Sequence, residues 1–187
     1  MSYLATVYNV MISAPSDVEE ECKVAHDVVH AWNFDNAEHM KKILLPVNWK
    51  NSTVPEAGTP AQKSINKQLV DKVDILVAIF KHRLGTPTKN AISGTVEEIQ
   101  EVLEAKKPVL LYFSEESVPQ RESEGAQWKE LCKFKRDCQP NDYYHAFTTT
   151  LDFKTMLSSH IAKIAHTLLP LQQNSTRIAA VVIFYLN

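Results

Sequence analysis

Asp74-Ile75-Leu76-Val77-Ala78-Ile79-Phe80 is the stretch whose reading decides the fold. From Ile75 to Phe80 no polar residue interrupts it, and β-branched residues recur at every second position. A short apolar run of this kind reads as a strand buried on both faces, which only a parallel sheet covered by helices on both sides provides. Outward from it, apolar runs alternate with amphipathic ones. Upstream, Thr6–Ser13 predicts a first strand. Ile43–Trp49 predicts a second, and Pro46 inside it marks an edge strand or a bulge. Between them Val18, Cys22, Ala25, Val29 and Trp32 recur at three and four, one stripe of a helix, and Ser16-Asp17-Val18-Glu19 predicts its capping box. A further helix is expected from Pro60, with Ala61, Ile65 and Leu69 on one face.

Downstream, Thr95 opens a helix with Ile99, Val102 and Leu103 turned inward, and Pro108–Phe113 repeats the doubly buried pattern. Trp128–Cys138 reads as helix, Tyr144–Thr149 as a short fifth strand and Phe153–Leu169 as a closing helix. Strands alternating with helices across short joins imply parallel pairing and right-handed crossovers. The expected fold class is α/β, an open doubly wound parallel sheet of about five strands in three layers. One domain is expected over residues 1–170. The apolar tail 171–187, with the run Ile178–Leu186, reads as an added strand, an interface segment or the start of a further domain.

Composition narrows the functional classes. The chain has 187 residues, 44% apolar and 22% charged, enough for a full core and unlike a coiled coil or a disordered tail. Lys+Arg number 20 against 22 Asp+Glu, and no basic cluster exceeds Lys133–Lys135–Arg136, so no nucleic-acid partner is expected. Ile178–Leu186 is too short to span a bilayer and residues 1–12 read without a signal peptide. No membrane partner is therefore expected, and the location expected is cytoplasmic. Cys22, Cys132 and Cys138 show no CxxC spacing, so reduced thiols and no metal site are expected. The four glycines, Gly58, Gly85, Gly94 and Gly125, cannot assemble GxGxxG or GxxxxGK[ST]. That excludes dinucleotide-binding dehydrogenases of the glycine-rich type and P-loop NTPases.

In open α/β sheets ligands bind beyond the carboxyl ends of strands. That rule selects Ser13–Asp17 after strand one, Trp49–Asn51 after strand two, Lys81–Arg83 and then Gly85–Thr95 after strand three, and Ser114–Glu116 after strand four. Asp74 lies at the opposite end and reads as a turn residue. Candidate substrate-binding residues are Ser13, Asp17, Trp49, Arg83 and Thr95. Trp49 suits a nucleotide base or an edge of the core, and Arg83 suits a phosphate or a solvated loop. His82 reads as a surface histidine, and His160 and His166 as ordinary helix residues. Glu98 has two readings. Thr95-x-x-Glu98 is a capping box, and the same glutamate is placed to enter the crevice beside the free N–H groups of a helix start.

The ordered series Ile12-Ser13-Ala14-Pro15-Ser16-Asp17, Pro46-Val47-Asn48-Trp49, Gln62-x-x-Ile65-Asn66 and Asp74-Ile75-Leu76-Val77 continues through Arg83-Leu84-Gly85-Thr86-Pro87, Ser93-Gly94-Thr95-x-x-Glu98-Ile99 and Lys107-Pro108-Val109. From Val10 to Ser114 the chain resembles the TIR-like domains of bacterial signalling and defence proteins and, more remotely, the nucleoside 2-deoxyribosyltransferases. The resemblance implies a flavodoxin-like or TIR-like three-layer architecture and a catalytic carboxylate at Glu98, acting at an anomeric ribose carbon. Glu97, expected to be exposed, is the neighbouring register. The loop 85–94 carries no acid, whereas the transferases carry acidic residues there. Nicotinamide leaves NAD⁺ as a neutral molecule and needs no general acid, so NAD⁺ is the expected substrate. The resemblance therefore implies an NAD⁺ glycohydrolase of prokaryotic defence or signalling, with a nucleotide substrate, no resident cofactor and activity promoted by self-association. The alternatives are a deoxyribosyltransferase-like N-glycosidase, and a non-catalytic interaction or nucleotide-sensing module in which Glu98 only caps its helix.

Overall fold

The computed structural model describes residues 2–47, 72–118, 125–139 and 144–167. In chain order these hold β1 (Thr6–Ser13), α1 (Glu19–Met40), β2 (Lys42–Val47), β3 (Ile75–Phe80), α2 (Gly94–Glu104), β4 (Val109–Ser114), α3 (Ala126–Cys138), β5 (His145–Phe147) and α4 (Thr150–Thr167). The strands form one sheet in the order β2-β1-β3-β4-β5, and every pairing is parallel. This is the flavodoxin-like doubly wound order.

β3 is buried at all six positions and lies between β1 and β4, as its unbroken apolar run predicts. Its alternate residues feed two separate cores, because successive side chains of a strand point to opposite faces. Ile75, Val77 and Ile79 pack with Val10, Leu44 and Tyr112 against Ala25, Val29 and Trp32 of α1 and Phe153, Leu157 and Ile161 of α4. Leu76, Ala78 and Phe80 pack with Met11, Leu111 and Phe113 against Val96, Ile99 and Val102 of α2 and Leu131 of α3. Each large apolar side chain buried in this way contributes about 1.5–3 kcal/mol. At the amino ends of the strands Asn9 N–H donates to Asp74 Oδ2 at 2.8 Å and Asp74 N–H to the Asn9 carbonyl at 2.9 Å, so Asp74 is the structural residue expected.

Several boundaries differ from expectation. Of the edge strand or bulge that Pro46 allows, β2 is the edge strand, but it runs Lys42–Val47. Trp49, the helix expected from Pro60 and the tail 171–187 lie outside the described residues. The Ser16–Glu19 capping box does not form. α1 starts at Glu19 with Val18 as its N-cap and no side-chain cap bond. Val18 is fully buried, while Asp17 Oδ2 accepts from His82 N–H at 2.9 Å, so the local polar groups are drawn to the turn after β3 instead. β5 is confined to His145–Phe147. His160 is more than an ordinary helix residue: its Nδ1 lies 2.7 Å from the Tyr112 hydroxyl, and its ring packs on that of His145 with centroids 4.2 Å apart. Among the described residues no helix is long and apolar enough to cross a membrane.

Candidate functional site

From β1 the chain moves outward to β2, then returns past β1 to form β3 on the other side. The connections after β1 and β3 therefore part at the carboxyl ends of these strands, and a crevice opens at this switch point. A cleft of about 860 Å³ lies there, its wall including Ser13, Arg83, Gly85, Thr95, Glu98 and Gln127.

The wall is built by the start of α2. Ser93, wholly buried and extended at φ −159°, is the N-cap, and its Oγ accepts from Val96 N–H at 3.1 Å. Gly94 N–H donates to the Thr86 carbonyl at 3.0 Å. The helix thus begins one residue before Thr95, which becomes its second residue rather than its cap, and the Thr95–Glu98 capping box does not form. Glu98 sits one turn in, and its carboxylate accepts a hydrogen bond from the Ser13 hydroxyl at the end of β1. Residues 85 apart in sequence are thereby joined inside the cleft.

Glu97, expected to be exposed, is only 6% exposed. One residue is about 100° of rotation on a helix, which turns Glu97 away from the cleft and towards the preceding loop. Its carboxylate accepts from Asn90 Nδ2 at 2.8 Å. That loop folds on Thr88, whose hydroxyl accepts from Asn90 N–H at 3.3 Å and Ala91 N–H at 3.0 Å.

Of the other sequence candidates, Arg83 and Thr95 join Ser13 and Glu98 in the cleft wall. Arg83 is exposed and makes no ion pair among the described residues, so its guanidinium is available to an anion. Asp17 is not part of the wall; it holds the His82 backbone. His82 is half-buried rather than at the surface, its ring edge-on to Trp128 with centroids 6.3 Å apart.

Two features escaped the sequence reading. Gln127 of α3 enters the cleft wall, and its Oε1 accepts from Gly85 N–H at 2.9 Å. Nothing in the local pattern marks it, since the helix was expected only from Trp128. The second is an ion triad: Lys81 bridges Glu21, 3.4 Å away and 3% exposed, and the exposed Glu116. The Glu116 hydrogen bond raises the Lys81 pKa, and Lys81 in turn lowers that of Glu116. Glu21 shares a helix face with Ala25, Val28 and Trp32, a spacing that marks it as inward.

Among the described residues the wall contains two carboxylates. Glu19 is 82% exposed and paired with Lys23 at 3.3 Å, while Glu98 is held inward by Ser13. Among the described residues no group of three His, Cys, Asp or Glu is placed to hold a metal ion. The arrangement suits the stabilisation of positive charge by a carboxylate whose orientation is fixed by a hydroxyl donor.

The model of a family described as a domain of unknown function, DUF4062, matches residues 9–162, from within β1 to within α4. The chain belongs to the DUF4062 family. Every described residue of the cleft wall lies inside the matched DUF4062 region. No curated protein matches the chain. Among solved structures, the DUF4062 domain is similar to a de novo designed Rossmann 2x3 fold protein, at 12% identity over 91% of this chain and 98% of that one, TM-score 0.41. Translation elongation factor SelB from Methanococcus maripaludis matches at 10% identity over 93% of this chain, TM-score 0.49, and the match spans 38% of the SelB chain. An azoreductase from Bacillus anthracis matches at 12% identity over 86% of this chain and 100% of that one, TM-score 0.38. These are similarities of fold alone.

Proposed function

We propose that this DUF4062 domain is an N-ribosyl hydrolase that releases nicotinamide from NAD⁺, with Glu98 as its catalytic carboxylate. The observation that carries the reading is the position of that carboxylate. It lies in the switch-point cleft on the Ser13 hydroxyl, while the helix start is capped by Ser93. A glutamate that served only as a cap would have no need of β1. The resemblance to TIR-like domains, which rests on residues of both walls, supports the same assignment.

Breaking the ribosyl–nicotinamide bond sends its electron pair to the pyridinium nitrogen and leaves positive charge on the anomeric carbon and ring oxygen. The Glu98 carboxylate stabilises that charge, and Ser13 keeps it oriented. Water adds to the anomeric carbon and loses a proton, giving ADP-ribose. Nicotinamide leaves neutral, so the absence of an acid from the loop 85–94 is no obstacle. Arg83 and Thr95 supply a cation and a hydroxyl for the phosphate and sugar oxygens.

The test is to incubate the protein, at high concentration to favour self-association, with NAD⁺ and separately with deoxynucleosides, and to separate the products by chromatography. Free nicotinamide with ADP-ribose is expected. Free base from deoxynucleosides, without nicotinamide, transfers the assignment to the deoxyribosyltransferase-like reading. Neither product leaves an interaction or nucleotide-sensing module.

A further inference from the structure

The amide of Gln127 is fixed at one end and open at the other. A backbone N–H can only donate, so the atom that faces Gly85 N–H at 2.9 Å is the carbonyl oxygen Oε1. The planar amide then turns Nε2 away from Gly85. Gln127 belongs to the cleft wall, and among the described residues Nε2 donates to no protein acceptor. Gly85 itself is held at φ +107°, so the anchor point is a specific conformation and the amide orientation is set with it.

A glutamine used only to hold a loop needs its oxygen; its two N–H donors are left over on a residue of the cleft wall. Donors fixed before a ligand arrives cost little ordering on binding. We infer that Gln127 is a substrate-binding residue, whose Nε2 hydrogens bond an acceptor oxygen of the nucleotide while Oε1 holds Gly85. The inference rests on the glycohydrolase reading and adds a specificity-determining residue from α3 to the Ser13–Glu98 pair. An acceptor oxygen occurs both on the ADP-ribose portion and on the nicotinamide carboxamide.

Two variants separate the ends of the amide. Gln127→Glu keeps an oxygen for Gly85 N–H and loses the donors; Gln127→Met loses both. Initial rates on NAD⁺ give kcat and KM, and inhibition by ADP-ribose gives the affinity of that portion alone. Gln127→Glu is also compared with wild type at about 0.5 M salt, where screening acts over roughly 4 Å. Both variants are expected to raise KM about 3- to 10-fold with kcat little changed, and the Gln127→Glu effect is expected to persist in salt. Equal weakening of ADP-ribose places the oxygen on that portion; weakening of NAD⁺ alone places it on the carboxamide. The inference is overturned if KM rises only in Gln127→Met, which leaves a loop anchor, or if the Gln127→Glu effect vanishes in salt, which leaves charge repulsion. It is also overturned if neither variant alters KM while wild type turns over. A wild type that releases no nicotinamide overturns the glycohydrolase reading and this inference together.

Discussion

Replacing Ser93 with alanine distinguishes the two ways in which α2 can start, and with them the role left to Glu98. Ser93 Oγ accepts from Val96 N–H at 3.1 Å, and the two residues are 0% and 2% exposed, so water cannot replace the lost acceptor. Loss of an N-cap costs about 1 kcal/mol. A backbone N–H left buried without an acceptor raises this towards 1–3 kcal/mol. Ser93→Ala is therefore expected to cost about 2 kcal/mol, or a Tm lower by about 4–8 °C for a domain of this size. Thr95→Val is the matched control. The Thr95 hydroxyl makes no hydrogen bond among the described residues, so the change is expected to stay within about 0.5 kcal/mol. Urea denaturation followed by far-ultraviolet circular dichroism measures both, with an unchanged m-value showing that only stability has moved. Thr95→Val costing as much as Ser93→Ala would refute the cap assignment and return Glu98 to the capping box.

Three further outcomes follow from the same geometry. Lys81→Met leaves Glu21 buried without its cation and is expected to cost about 3 kcal/mol, whereas Glu116→Gln, at the exposed end of the triad, is expected to cost less than about 1 kcal/mol; equal costs in urea would contradict this. Burial, then Lys163, lowers the His145 pKa, and burial, then His145 and Lys163, lowers that of His160. The unfolded chain thus binds more protons, so stability is full above the ordinary histidine value of about 6.5 and is lost as pH falls through the folded values. A urea midpoint lower at pH 5.5 than at 7.5 is expected, with a smaller difference in the His145→Gln/His160→Gln double variant. Gly85→Ala places a Cβ 3.4 Å from that of Ser93 at φ +107° and is expected to cost about 1–3 kcal/mol; an unchanged urea midpoint would show that the loop relaxes freely.

The sheet was legible because burial on both faces leaves a one-dimensional trace. Ile75–Phe80 has no solvent side, so its composition alone fixes its place, while Pro46, lacking a donor, narrows β2 to an edge or a bulge, of which it is the edge. Ser13, Arg83 and Thr95 follow from the strand-end rule, which also selects Asp17, outside the wall; Glu98, one turn into α2, is singled out as catalytic by the resemblance to TIR-like domains. Local polar signals were less reliable. Both predicted capping boxes failed because a [ST]-x-x-E pattern states only what one turn permits. Burial of Val18 and the Gly94 bond to Thr86 decided where the helices begin. Glu97 and Gln127 were misread or missed for the same reason: their partners, Asn90 and Gly85, are joined to them by loop geometry that no periodicity records.

The most direct test of the central claim is the rate of nicotinamide release from NAD⁺ by Glu98→Gln, beside wild type and Glu97→Gln at equal folded concentration. Gln keeps the size of the side chain and an oxygen for the Ser13 hydroxyl, but it removes the negative charge from beside the developing cation. That loss is expected to cost about 4 kcal/mol of transition-state stabilisation, a rate lower by roughly a thousandfold. Glu97→Gln retains an acceptor for Asn90 and is expected to stay within about tenfold of wild type. A Glu98→Gln protein that releases nicotinamide at the wild-type rate would contradict the account, as would one that stays active while Glu97→Gln is inert.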